Sequence, residues 1–306
     1  MANKGKYYES QFEEATIELL RETHWQYAFG DDIHRKYTDP LIEEDLRSFL
    51  ADQYKDKNLT SSEMDGIVAN LRNIGGQNDY YALRNTFLLY RDGYDFAYSD
   101  GRDNPFRLEY IDFKHPDHNI FRCVNQFVME QGRENRRPDI LLFINGIPVC
   151  IIELKNPTKQ NATIRDAHTQ ICTRYMRDIP VLLKYCALAV ISDGAKNALG
   201  TTYTPFEFFY EWKKIDNEDK AGKGLDTLRT LIRGALSPER ILEILRDYVY
   251  FPDPTKEDDT TEIVCRYPQF FATRKLRDHI LNHLRSVGGD GKGGTYFGAT
   301  GCGKTY

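Results

Sequence analysis

Apolar positions along the chain change their period several times, and each change marks a different predicted element. Phe12, Ala15, Leu19 and Leu20 recur at helical spacing within residues 8–21, with glutamates on the other side. Residues 41–73 also read as mostly helical and stop at Asn73-Ile74-Gly75-Gly76. From 77 to 130 the texture turns aromatic and β-prone, in NTFLLYR, YDFAYSD, FRLEYIDF and FRCVNQFVME. Two apolar runs, DILLFI and PVCIIELK, fill residues 139–155 and hinge at Asn145-Gly146, the strongest short hairpin signal a sequence offers. A helix over 162–176 and a buried strand, CALAVISD (186–193), follow. Helical texture returns through FEFFYEWKK and LDTLRTLIRGALSPERILEILRDYVYF.

The stretch Pro252-Asp-Pro-Thr-Lys-Glu-Asp-Asp-Thr-Thr is acidic, free of apolar residues and marked by prolines, which reads as a domain boundary. The pattern therefore predicts an α/β fold over 1–251, a mixed twisted sheet flanked by helices, then a linker over 252–262 and a separate start over 263–306. The last part opens with a helix, RYPQFFATRKLRDHILNHLRS, and a Gly-rich loop. Gly294-Thr-Tyr-Phe297 reads as a short strand, and Gly298-Ala-Thr-Gly301-Cys-Gly303-Lys304-Thr305 spells G-x-x-x-x-G-K-T. Such a loop curls backbone N–H groups around phosphates, while its lysine reaches the β/γ-phosphates and its threonine ligates Mg²⁺. The helix that should follow is not in the chain. A phosphate loop works by beginning a helix whose N-terminal donors face the phosphates, so these 306 residues are expected neither to hydrolyse ATP nor to bind it tightly.

Composition narrows the class. Hydrophobic residues make up 41% and charged ones 28%, as in ordinary globular proteins. No apolar run approaches the roughly 18 residues that span a bilayer, and the polar start MANKGKYYESQFEE is no signal peptide. The net charge of −5 argues against a generally basic DNA binder, although a local basic cleft can oppose the overall sign. Six cysteines lie far apart with no C-x-x-C pair, so a reducing cytoplasm is expected rather than a disulfide framework or zinc ribbon.

The candidate chemistry sits on the hairpin. Pro138-Asp139, thirteen residues, then Glu153-Leu154-Lys155 gives P-D…E-x-K, the signature of metal-dependent nucleases. Glu153 and Lys155 are two apart on a strand, so both side chains leave one face. Two carboxylates with a backbone carbonyl can hold Mg²⁺, a hard cation that wants oxygen. A bound ion polarises the scissile phosphate and acidifies its water, and a nearby ammonium orients that water or stabilises developing charge. The plain alternative is an edge strand carrying a solvated Glu–Lys pair. Register decides between them. With Asn145-Gly146 as a regular two-residue turn, Asp139 sits opposite Ile152, which puts Asp139 and Glu153 on opposite faces. A one-residue offset pairs Asp139 with Glu153 instead. Pro148 cannot donate to the ladder, which favours an irregularity near the turn.

At this point the chain resembles a known family. NQFVMEQGRENRRPDILLFINGIPVCIIELKNPT is similar to the nuclease region of the R subunit of type I restriction enzymes. That resemblance implies a P-D/E-x-K restriction-endonuclease-like domain followed by the start of a RecA-like superfamily 2 motor, with Asp139, Glu153 and Lys155 catalytic and Asp139 and Glu153 binding Mg²⁺. It implies Gln269 as an adenine-contacting residue, and Gly298, Gly301, Gly303, Lys304 and Thr305 as an ATP site in the full-length protein. It further implies double-stranded DNA as substrate, and partner subunits for methylation and specificity, with no membrane. The family also carries Q-x-x-x-Y on the helix after the nuclease lysine. Here Gln170-Ile-Cys-Thr-Arg174-Tyr175 has one extra residue, and five apart two side chains diverge by about 140° on an α-helix. Tyr175 lies on an apolar stripe with Ile164, Ala167, Ile171 and Cys172, which reads as core. Gln170, with Arg174 at its i+4 position, reads as the better DNA contact, and a local π-bulge would restore the family geometry.

Other candidates have plain alternatives. Arg133, Arg136 and Arg137 either grip phosphates flanking the scissile bond or form a solvated loop. Glu13, Glu14 and Glu18 either offer one further metal contact or face solvent. His279 and His283 at i, i+4 read as a surface helix face, and His115-Pro-Asp-His118 as a loop. Two other function classes stay open beside the Mg²⁺-dependent endonuclease. One is a DNA- and subunit-docking scaffold with silent nuclease residues. The other is a nucleotide-binding protein in which E-x-K is incidental.

Overall fold

A computed structural model describes residues 2–155, 163–216, 222, 224–252, 260–295 and 297, with main chain only for 2–9. The phosphate-loop positions Gly298, Gly301, Gly303, Lys304 and Thr305 lie outside the described residues, as does most of the acidic stretch expected as a linker.

Three helices precede the hairpins: α1 (Ala2–Arg21), α2 (Glu43–Gln53) and α3 (Ser61–Asn73), much as the apolar spacing predicts. A fourth, α4 (Asp79–Asp92), replaces the β-prone reading of NTFLLYR. Its start is capped by the Asn78 side chain, which accepts the Tyr81 N–H. Its buried residues Tyr80, Leu83, Phe87 and Tyr90 recur at three and four. Aromatic content suggested strand, but period decided.

Strand β1 (Gln26–Phe29) follows α1, and β2 (Tyr94–Phe96) pairs with β3 (Phe106–Leu108) as a separate ribbon. Next come β4 (Phe121–Asn125), a small hairpin of β5 (Met129–Gln131) and β6 (Glu134–Arg136), then the long hairpin β7 (Ile140–Ile144) and β8 (Ile147–Leu154). Beyond it lie α5 (Ile164–Thr169), a π-helical turn (Gln170–Tyr175), α6 (Met176–Asp178) and α7 (Pro180–Leu183). Strands β9 (Leu188–Ser192) and β10 (Asn197–Gly200) complete a six-stranded mixed sheet in the order β1-β4-β7-β8-β9-β10. Pairings β1–β4 and β8–β9 are parallel and the others antiparallel. FEFFYEWKK, expected to be helical, makes one 3₁₀ turn at Phe206–Phe208 and then runs extended, with Tyr210 bridging to Leu199. A paired backbone bridge outweighs its weak helical spacing.

Helices α8 (Leu225–Leu231) and α9 (Pro238–Asp247) flank a second π turn, and β11 (Val249–Tyr250) pairs with β12 (Ile263–Val264). Helix α10 (Tyr267–Asn282) buries Phe270 and Phe271 against Trp212 and Tyr248. Gly294, Thr295 and Phe297 belong to no strand, contrary to the short strand expected there. A strand needs a partner for its ladder, and none faces this segment among the described residues. No described helix is long and apolar enough to cross a membrane.

The sheet is covered on both faces. One core holds Ile140, Leu142 and Ile144 of β7 together with side chains from α1–α4, α8 and α9. The other holds Leu141 and Phe143 with Ala167, Ile171 and Tyr175. Strict alternation along β7 is the period of two that a strand requires.

Candidate active site

Strand β8 does not keep that alternation. Ile147 and Val149 point into the first core, and so do Cys150, Ile152 and Leu154, so two successive residues share a face. The register shows why. Ile144 pairs with Ile147 and Phe143 with Pro148, but Leu142 pairs with Cys150 and Ile140 with Ile152. Val149 is the extra residue of a β-bulge. Asn145 (φ 51°) and Gly146 (φ 76°) form the two-residue turn, both left-handed as a primed turn demands. Continuing the bulged register one step sets Asp139 opposite Glu153, on the face of the second core. Without the bulge, Glu153 would project from the other face.

The two carboxylates meet at that end of the sheet. Asp139 Oδ2 accepts the Leu154 N–H at 2.7 Å, and its carboxyl lies within hydrogen-bond reach of Glu153. Glu153 is 1% exposed. Burial first, and then the Asp139 carboxylate, push its carboxyl well above the usual carboxylate range, against the opposing pull of Lys155. Lys155 Nζ donates to Glu153 Oε1 and to Gln170 Oε1, both at 2.7 Å. Gln170 Nε2 donates to the Tyr175 hydroxyl at 2.7 Å, and that hydroxyl donates to Glu153 Oε2 at 3.3 Å. Glu153, Lys155, Gln170 and Tyr175 thus close a ring of side-chain hydrogen bonds beside Asp139.

The π turn makes this ring. Residues 170–175 carry one more residue per turn than an α-helix, so positions five apart share a face. Tyr175 keeps its ring in the core, at 3% exposed, while its hydroxyl reaches the site. Reading it as core alone missed that second end. The signal for it is the family's Q-x-x-x-Y motif, with a π-bulge to absorb the extra residue, and the turn at Gln170–Tyr175 is such a bulge.

The remaining sequence candidates sit as follows. Gln170 faces inward to Lys155 and Tyr175, whereas Arg174, Arg133 and Arg137 are exposed. Arg136 pairs with Glu134 and Asp178, at 2.5 and 2.7 Å. Gln269 occupies the third position of α10 and caps it, accepting the Arg266 N–H at 2.7 Å. Glu13 of α1 accepts from the side chains of Asn125 (2.6 Å) and Gln126 (2.9 Å). The Gln126 N–H in turn bonds the Asp139 carbonyl at 3.2 Å. Asn125 and Gln126, which the sequence reading passed over, therefore link α1 to the Asp139 end of the sheet.

The donor set fits a hard divalent cation. Asp139 and buried Glu153 face each other beside the Lys155 ammonium, and a proton on Glu153 or a bound cation would relieve the repulsion between the two carboxylates.

Residues 6–208 match the model of the type I restriction enzyme R protein N terminus. The chain belongs to that family. It is 29% identical over 97% of its length to the type I restriction enzyme HindI endonuclease subunit of Haemophilus influenzae, covering 29% of that protein. It is 26% identical over 89% of its length to a putative type I restriction enzyme endonuclease subunit, MjaIXP, of Methanocaldococcus jannaschii, covering 28% of it. The EcoprrI endonuclease subunit of Escherichia coli is 28% identical over 72% of this chain. The chain thus spans less than a third of the first two relatives.

Proposed function

We propose that this family member carries a Mg²⁺-dependent DNA endonuclease site built from Asp139, Glu153 and Lys155. The observation that carries the reading is the bulge at Val149, which turns Glu153 to the face of Asp139 at the mouth of a paired strand. On this reading the domain is a P-D/E-x-K restriction-endonuclease-like fold over 1–251. Residues 252–262 connect it to the start of a RecA-like superfamily 2 motor over 263–306, where Gln269 and the loop Gly298–Thr305 serve ATP in the full-length protein.

Asp139 and Glu153 would hold the ion. Bound there, Mg²⁺ supplies charge to the scissile phosphate and acidifies a coordinated water. Lys155 is kept in place by Glu153 and Gln170, so its ammonium can orient the attacking water and stabilise the developing oxyanion without first reorganising. Tyr175 fixes the Glu153 carboxylate and the Gln170 amide together. Arg174 and Arg137, exposed near this edge, are proposed to meet the phosphates of double-stranded DNA, with Arg136 and Gln170 as inner contacts. In the full assembly, methylation and specificity subunits would supply recognition, and ATP-driven translocation would precede cleavage.

The test is plasmid cleavage by the full-length subunit assembled with its partners, with and without Glu153→Ala. Mg²⁺-dependent cutting that vanishes in the variant supports the reading. Cutting that survives Glu153→Ala or Lys155→Ala unchanged refutes it, as does robust sequence-specific cutting by the 306-residue chain alone.

A further inference from the structure

Far from the carboxylate pair, at the turn end of the β7–β8 hairpin, a second polar cluster is built. The loop 109–120 brings Asp112, His115 and His118 together. Nδ1 of His115 and Nδ1 of His118 lie 3.1 and 3.0 Å from the same oxygen, Asp112 Oδ2, and the three donor atoms all fall within 4.8 Å of one another. The two imidazoles stack, with centroids 4.9 Å apart and planes inclined by 29°. The Asp112 side chain is only 4% exposed, whereas the rings are 62% and 54% exposed, so the cluster is anchored inside and open to solvent outside.

We infer that Asp112, His115 and His118 form a binding site for one transition-metal ion of the zinc type. Several features point that way. The carboxylate is oriented before any ion arrives, because its other oxygen, Oδ1, accepts the N–H groups of Lys114 and His115 at 2.9 and 3.0 Å. Two imidazole nitrogens and one carboxylate oxygen are a borderline donor set that suits zinc and not magnesium. A tetrahedral ion with bonds of about 2.0–2.1 Å separates its ligand atoms by roughly 3.3–3.4 Å, only slightly more than the two nitrogen–oxygen spacings present. In the bound form the Nδ1 lone pair of each ring would take the ion and the ring N–H would sit on the outward Nε2. Gln53 Nε2, at 3.3 Å from Asp112 Oδ2, remains as an outer partner of the carboxylate. A fourth position, toward solvent, is left for water.

The site has a structural consequence. Asn119 takes the Asp112 N–H on Oδ1 (2.9 Å), and its amide donates to the Asp112 carbonyl at 2.7 Å. The same Oδ1 accepts from the Asn145 side chain at 2.8 Å, so the metal loop is tied to the hairpin turn. An ion at Asp112 would therefore stiffen the end of the hairpin opposite the carboxylates.

Zinc titration of the 306-residue chain, followed by metal analysis after gel filtration and by thermal unfolding, tests the assignment. In Asp139→Asn/Glu153→Gln, which lacks the carboxylate pair, one ion bound per chain and a higher Tm are expected. Adding His115→Ala/His118→Ala to that background should abolish both, while the stacked pair at the C-terminal end of α10, changed there as His279→Ala/His283→Ala, should leave both intact. Both rings of the metal cluster are more than half exposed, so their loss is tolerable to folding. Imidazole ¹⁵N resonances of the wild type give a second readout: zinc should shift Nδ1 of His115 and His118 together. Binding in that background unaffected by the His115/His118 substitutions, Nδ1 resonances that do not move, or no zinc retained by the wild type would overturn the inference.

Discussion

The Gln170 amide and the Tyr175 hydroxyl, five residues apart in the chain, meet at 2.7 Å because residues 170–175 form a single π-helical turn. The extra residue that departs from the family's Q-x-x-x-Y spacing is absorbed by that turn, and the two side chains still face Glu153 and Lys155. Deleting exposed Thr173 should convert the turn to α-helix and keep both side chains on the same face. The expected outcome is an unchanged or higher Tm with Mg²⁺ binding retained. A fall of more than about 2 °C, the scale of roughly 1 kcal/mol in a domain of this size, would show that the extra residue is needed for more than spacing.

The hydrogen-bonded ring predicts coupling. Gln170→Ala and Tyr175→Phe each remove one partner of a partly buried bond, and such a bond contributes about 0.5–1.5 kcal/mol. In a double-mutant cycle read by denaturant unfolding, the two changes should be non-additive by about that amount. Additive losses would mean that the contact carries no energy of its own.

Glu153 predicts a pH dependence. Its carboxyl is raised by burial and by Asp139, so below the unfolded value, near 4.3, it is protonated in both states and its contribution is fully present. As pH rises from there through the raised folded value, the unfolded chain releases the proton first, and stability falls by at most about 1.4 kcal/mol per pH unit. Glu153→Gln should remove this slope and stabilise the metal-free protein at neutral pH. Mg²⁺ should raise the Tm of the wild type and not of the variant. Equal pH slopes for the two proteins would contradict the buried pair.

The hairpin predicts a cost at its turn. Gly146 has φ 76°, and a Cβ there would lie 2.1 Å from the Ile42 carbonyl oxygen. Gly146→Ala should destabilise by about 1–3 kcal/mol, the range for a strained backbone position, measured as a lowered urea midpoint. A neutral effect would mean that the turn relaxes freely.

Much of this was legible beforehand, for identifiable reasons. The hairpin was readable because Asn145-Gly146 permits the left-handed φ values its turn needs, and the apolar runs on either side matched strands of fitting length. Pro148 pointed to an irregularity beside it, but not to Val149 as the extra residue, since a bulge is fixed by packing on both faces of the sheet. Helix α4 was misread because Tyr80, Phe87 and Tyr90 are as common in strands as in helices, and only their spacing separates the two. For Tyr175 the apolar period gives only the buried ring and says nothing of what its polar tip touches, whereas the family motif with a π-bulge points to the site. Glu13 could be named but not placed: what turns it toward the site is Asn125 and Gln126, 112 and 113 residues away in the chain.

The central claim is that Asp139 and Glu153 together bind one divalent cation. Anomalous diffraction from crystals soaked in Mn²⁺, compared between wild type and Glu153→Gln, tests it most directly. The account predicts a single strong peak at about 2.0–2.6 Å from one oxygen of each carboxylate, with Lys155 still beside Glu153, and no such peak in the variant. A well-ordered wild-type site with no manganese between Asp139 and Glu153, or an ion that persists unchanged in Glu153→Gln, would contradict it.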